Sequence, residues 1–183
     1  MRALGLDPVH DTRRTFRALC DATSRPGSVV AVDADPADHA VLATLVDHEV
    51  TTWTPDERLR EVLDSQGRLD AAAPTNADVV HAVGSPEWDV RECDRGTLVE
   101  PSEGATVVYR VDDLGDADDP GLTGVELAGP GVDGTRRFGV GLPARELDRL
   151  GDAQSTYPRG VDAYFAAGDR VAAVPRSSDL EVL

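Results

Sequence analysis

The sequence predicts an α/β sandwich built on a mixed sheet, and three observations carry that expectation. Amphipathic helical segments alternate with short strands through the first half. Ala105 to Val111 is a continuous apolar run of the kind found in strands covered on both faces. The second half then turns to strands at hairpin spacing around one further helix. At 183 residues the chain is long enough for one sizeable core and short for two, so residues 1–183 read as a single domain.

Each element has a local reason. Between about Asp11 and Thr23, Phe16, Leu19, Cys20 and Thr23 recur at helical steps while Arg13, Arg14, Arg17 and Asp21 fall elsewhere, which predicts an amphipathic helix with Cys20 as a small core residue. Pro26 and Gly27 end it, and Ser28 to Val32 follows as a strand entering the core. Asp35-Pro36 reads as a cap and first-turn proline for a helix burying Val41, Leu42, Leu45 and Val46. After a short strand at Val50 to Trp53, Thr54-Pro55-Asp56-Glu57 has the form of a capping box, with Thr54 and Glu57 as the exchanging pair. The helix it opens buries Leu59, Val62 and Leu63 and ends at Gly67.

Asp78 to Val83 is the next strand, and Ser85-Pro86-Glu87 caps a short helix carrying Trp88. Beyond the Ala105 strand, Asp112 to Asp119 forms an acidic loop that runs on to Gly121. Strands at Gly124 to Ala128 and Arg136 to Val140 flank a Gly129-Pro130-Gly131 turn, and Pro143 to Leu150 is helical. Strands at Gly160 to Ala166, Arg170 to Val174 and Leu180 to Val182 close the chain.

Eighteen basic against 34 acidic residues give a formal net charge of -16, and every base is arginine. Such acidity disfavours nucleic acid and anionic membrane surfaces as partners. An acidic, lysine-free surface is the habit of a halophile's cytosolic protein, because molar salt shortens the Debye length to about 3 Å and screens the carboxylates while they hold water. No apolar run suits a membrane span, and Asp7, His10 and Asp11 stand where a signal peptide would be apolar, so a cytoplasmic location is expected. The missing lysine removes Schiff-base chemistry with pyridoxal phosphate (PLP) and the P-loop contact to nucleotide phosphates. With only Cys20 and Cys93, neither a disulfide framework nor a zinc cluster is expected.

Candidate chemistry is sparse. Asp116, Asp118 and Asp119 approach a calcium loop but place Pro120 and Leu127 where oxygen ligands belong. His10, His39, His48 and His81 form no metal pair, and exposed or hydrogen-bonded histidine is the default for each. A third class of reading is an independent hydrolase built on His48 and Asp47. Arginines can gather phosphate oxygens, and Arg13, Arg14 and Arg17 lie together on the first helix. Arg25, Arg136, Arg137, Arg159 and Arg176 sit beside turns, where ion pairing is the expected use in so acidic a chain.

Three separated stretches resemble one family. Residues 11–27 fit the pattern D-x4-F-R-x-L-x2-A-x-S-x-P-G, through Asp11, Phe16, Arg17, Leu19, Ala22, Ser24, Pro26 and Gly27. Gly96-Thr97 through Pro101, with Gly104-Ala105-Thr106, resembles the family's central region. Pro158 to Asp162 and Val174-Pro175-Arg176-Ser177-Ser178 resemble its P-x-G-[IV]-D and [IV]-P-R-[ST]-[ST] ending. The family is PhnH, a subunit of the phosphonate carbon-phosphorus lyase system.

That resemblance implies a reduced PLP-dependent transferase fold that does not use the cofactor. It also implies a homodimer working with PhnG, PhnI and PhnJ in the complex that makes ribose 1-methylphosphonate 5-triphosphate. There ATP enters only as substrate, and its ribose triphosphate moiety is transferred to a phosphonate with release of adenine. The implied role is accessory, with no catalytic, cofactor or metal residue carried over. Phe16, Arg17, Pro26, Gly27, Asp162, Pro175 and Arg176 are the signature positions, expected in structural or interface use. The alternative is a nucleotide- or phosphonate-binding subunit in which Arg17 and Arg176 gather anionic oxygens. Cys20 to Thr23 departs from the family's usual hydrophobic and Met positions, and the acidic loop at Asp112 to Asp119 departs from its middle.

Overall fold

A computed structural model describes residues 4–183. Four helices, α1 (His10–Ser24), α2 (Ala37–Leu45), α3 (Glu57–Ser65) and α4 (Ala144–Gln154), combine with eleven strands. The first seven strands in chain order are β1 (Val30–Ala31), β2 (Thr51–Trp53), β3 (Asp70–Ala71), β4 (Val79–Val83), β5 (Thr106–Arg110), β6 (Leu114–Gly115) and β7 (Thr123–Ala128). The last four are β8 (Arg136–Val140), β9 (Asp162–Ala167), β10 (Arg170–Val174) and β11 (Asp179–Val182).

Seven strands form one mixed sheet in the order β1-β10-β9-β5-β4-β2-β3. The run from β9 through β5, β4 and β2 to β3 is parallel, and β10 and β1 add antiparallel at the other edge. A second, antiparallel sheet has the order β11-β7-β8-β6. Residues of α1, α2 and α3, among them Leu19, Val41, Leu42, Leu59 and Leu63, bury one face of the large sheet against Val79, Val108 and Ala166. The opposite face buries Val107, Tyr109 and Phe165 against Leu127, Phe138 and Val140 of the second sheet and Leu147 and Leu150 of α4. The expected α/β sandwich with a mixed sheet is therefore present. The strands between Thr123 and Val140, together with β11, form a separate layer, because spacing along the chain does not reveal which sheet a strand joins.

Several local expectations are corrected. Helix α1 buries Thr15, Ala18, Leu19 and Ala22, whereas Phe16 is 56% exposed and Cys20 is exposed. Small residues let α1 lie close to its neighbours, and that rotates the larger apolar side chains outward. Asp35 caps nothing: Pro36 itself takes the N-cap position of α2 after a cis peptide bond, and the Ala37 amide donates to the Gly168 carbonyl at 2.7 Å. At α3 the cap is Asp56, whose Oδ1 accepts from the Leu59 amide at 3.0 Å, so the Thr54 and Glu57 capping box does not form. The Ser85-Pro86-Glu87 helix is absent. A single 3₁₀ turn at Val90–Glu92 stands further on, with Asp89 accepting from the Arg91 amide. The strand at Ser28 to Val32 shrinks to the two-residue edge strand β1, although Val32 is buried.

Gly27 joins the layers. Its amide donates to the Ala173 carbonyl at 3.0 Å, its φ is +73°, and a Cβ there would lie 3.0 Å from Leu127 and 3.2 Å from both Arg136 and Phe138. Left-handed backbone costs a residue with a Cβ about 1–2 kcal/mol, so Gly27→Ala is expected to destabilise by at least that much in guanidinium titration. Gly134→Ala, also at positive φ but with open space around it, should show only the backbone part.

Candidate functional site

The densest group of ionisable side chains lies where the parallel strands end against the helix N-termini. Helix α2 presents Asp38 and His39 in its first turn, Asp56 caps α3, β4 carries His81, and Arg110 is the last residue of β5. The Arg110 guanidinium is the hub. Its NH2 lies 2.6 Å from Asp38 Oδ2, 2.8 Å from Asp56 Oδ2 and 2.9 Å from His39 Nε2, and its Nε donates to Asp38 at 2.8 Å. His39 Nε2 is also 2.9 Å from Asp56 Oδ2, so it either donates to the carboxylate or accepts from the guanidinium. Behind them His81 is fully buried, with Nδ1 2.8 Å from the Thr54 hydroxyl and Nε2 3.2 Å from Asp38 Oδ2, off the line of a good hydrogen bond. Thr54 Oγ1 in turn accepts from the Asp56 amide at 3.1 Å.

Electrostatics follow from this arrangement. Burial by itself would raise the Asp38 carboxyl, but its contacts with His81 and Arg110 outweigh that and hold it below its ordinary value. Asp56 is held far below the carboxylate range: burial again acts upward and is overcome by His39, the Leu59 amide and Arg110. A guanidinium thus occupies the position a cation would need. Among the described residues no group of three or more His, Cys, Asp or Glu is placed to hold a metal ion. The cluster is a polar knot that ties α2, α3, β4 and β5 together, its charged groups paired with one another and the buried His81 Nε2 left without a hydrogen-bond partner.

The sequence singled out His39 and His81 one by one but did not join them to Asp38, Asp56 and Arg110. The signal available was a histidine inside the apolar strand Val79–Val83 and an arginine ending the buried strand Thr106–Arg110, since charged groups in such runs need partners. Asp47 and His48 are exposed, and Asp47 Oδ1 accepts from the Glu49 amide in its own turn, so no hydrolase pair forms there. Cys93 is buried and its thiol is pushed up to about 12, chiefly by desolvation, which keeps it protonated and unreactive. In the acidic loop, Asp119 accepts from the Asp116 amide and Asp113 pairs with Arg170.

The signature positions fall in four places. Pro26 and Gly27 are buried at the junction of the layers. Asp162 and Arg176 bind each other: the Arg176 amide and Nε donate to the Asp162 carboxylate at 2.8 and 3.0 Å, and the guanidinium also reaches the Pro101 and Gly104 carbonyls. Arg176 thereby clamps the 101–104 segment and has little donor capacity left for a phosphate. Phe16, with Leu19, Cys20, Thr23, Leu45 and Tyr164, lines an apolar groove of about 390 Å³. A smaller cleft of about 150 Å³ shares Thr23, Leu45 and Tyr164 with it and runs on to Asp162 and Pro175. Arg17 is exposed on α1 and lines neither the groove nor the cleft.

Comparison with known proteins matches residues 5–181 to the family described as bacterial phosphonate metabolism protein (PhnH). The chain belongs to the PhnH family. It is 33% identical over 173 residues to a protein of Stutzerimonas stutzeri named as C-P lyase subunit protein HtxG, covering 91% of this chain and 84% of that one. It is also 29% identical over 194 residues to the alpha-D-ribose 1-methylphosphonate 5-triphosphate synthase subunit PhnH of Rhizobium meliloti (strain 1021), covering 96% and 92%. Among the described residues no helix is long and apolar enough to cross a membrane.

Proposed function

We propose that this chain is an accessory subunit of a carbon-phosphorus lyase complex, supporting transfer of the ribose triphosphate moiety of ATP to a phosphonate while other subunits react. Family membership over nearly the whole chain supports the reading, as do the printed names of both relatives. The observation that carries it is the placement of the signature: Phe16 lines one surface groove and Asp162 and Pro175 the smaller cleft beside it, while the charged groups around Arg110 pair with one another. A partner face accounts for that division better than an active site does.

In this reading the sandwich is a reduced relative of the PLP-dependent transferase fold. The residues do not fit the cofactor, because the chain has no lysine to form its Schiff base. PhnG, PhnI and PhnJ are the partners and ATP is a substrate of the assembly alone. The subunit is cytoplasmic and adapted to high salt, and it works as a homodimer with those partners.

Reconstitution tests the role. Omitting this chain from the co-expressed subunits is expected to reduce triphosphate synthesis at least tenfold, with recovery on adding it back. Full turnover by the remaining subunits would overturn the accessory role.

A further inference from the structure

Deepening the reading above, and resting on it, we infer that the outer face of α1 and the groove beside it dock a different chain, one that presents an apolar ridge flanked by carboxylates on the α1 side. Beside the exposed Asp21, which pairs with Arg25, Arg13, Phe16, Arg17, Cys20 and Ser24 stand outward along α1 at helical steps of three and four, without a carboxylate among them. That is exceptional in a chain holding 34 acidic residues against 18 basic. Arg14 pairs with Asp11 and Asp33, and Arg25 with Asp21. Arg13 and Arg17 have no carboxylate within ion-pair distance among the described residues. Two arginines free of partners therefore edge an exposed phenylalanine.

The groove gives that ridge a seat. Leu19, Leu45 and Tyr164 line it together with Phe16, and the Tyr164 hydroxyl lies 2.9 Å from that of Thr23. The turn after Leu45 carries Asp47 and Glu49, so the basic edge is confined to α1 and sets which way round a partner must lie.

Charge disfavours a second copy paired through this stretch of α1. In a two-fold pair centred between Arg13 and Arg17, Arg13 of one copy would meet Arg17 of the other, and a like-charge contact of that kind opposes closure. A partner with carboxylates on the α1 side has the complementary charge, and an exposed aromatic seated in an apolar groove is the usual anchor of such an interface.

The test uses the full chain co-expressed with its complex partners, with assembly read by light scattering and affinity titrated at several KCl concentrations. Phe16→Ala and the pair Arg13→Glu, Arg17→Glu change exposed side chains, so their melting temperatures should match wild type. Each is expected to weaken incorporation about tenfold or more, and the arginine pair should also flatten the salt dependence. Incorporation of both variants with wild-type affinity would overturn this inference while leaving the accessory role intact. If the wild-type chain itself fails to assemble, both fall together. Dissociation of a homodimer by the arginine pair, with incorporation unaffected, assigns the face to a second copy and overturns it too.

Discussion

Arg110→Met is expected to cost about 3 kcal/mol of stability, at the lower end of the ~3–5 kcal/mol seen when one partner of a buried ion pair is removed. The lower end applies because the Arg110 side chain is 32% exposed, although Asp38 beside it is only 1% exposed. Methionine keeps the alkyl stem and removes the charge, so the loss reports electrostatics more than packing.

Its pH dependence distinguishes the cause. In the wild type Asp38 and Asp56 are held below their ordinary values. Their contribution is therefore complete above the unfolded carboxylate range near pH 4 and is lost as pH falls through the folded values. Without Arg110 its share of the lowering is lost at both carboxylates while His81 and His39 keep theirs, so the variant takes up those protons at higher pH than the wild type and loses less stability to acid. The stability gap between the two proteins should narrow as pH falls from neutral through the carboxylate range near pH 4 and below, measured by denaturant titration at each pH. A gap that stays constant across that range would mean the guanidinium acts through packing alone.

The same knot shows how far the sequence could be read. Periodicity located all four helices and most strands, because each buries a face whose spacing is local: Leu59, Val62 and Leu63 on α3, or the continuous run at Ala105 to Val111. Two-residue strands such as β3 and β6 carry no such pattern, and both lie at sheet edges, where pairing is supplied by a neighbour distant in sequence. Helix α1 was legible as a helix but not in rotation, since Ala18 and Ala22 are buried in preference to Phe16 and Cys20. That rotation depends on what α1 meets, and the partner surface is not encoded in its own period.

Sites were harder to read than elements for the same reason. Asp38 and Arg110 are 72 residues apart and meet only because β5 lies beside α2 in the folded chain. The resemblance to the PhnH family marked Phe16, Asp162, Pro175 and Arg176 as a set, yet the groove and the clamp they form depend on three-dimensional placement. The alternative role of Arg176 as a phosphate ligand requires free guanidinium donors. In the structure its donors go to Asp162 and to the carbonyls of the 101–104 segment.

On the other face of the large sheet, Phe165→Ala is expected to be the most destabilising apolar truncation, at about 3–5 kcal/mol. Phe165 is fully buried on β9, stacks on Tyr109 of β5 with ring centroids 5.4 Å apart, and meets Phe138 of the second sheet at 6.3 Å. It thus spans both layers. The cavity left by truncation would be walled by strands of two hydrogen-bonded sheets, and backbone held on both sides collapses poorly, which favours the upper part of that range. Since a domain of this kind is stable by only ~5–15 kcal/mol in total, the variant should unfold at markedly lower denaturant. Phe165→Leu keeps most of the volume and should lose less, in proportion to the space left empty. Equal losses for Ala and Leu would point to the aromatic stack with Tyr109 as the main contribution, and a loss below about 1 kcal/mol for alanine would mean the two sheets close over the gap.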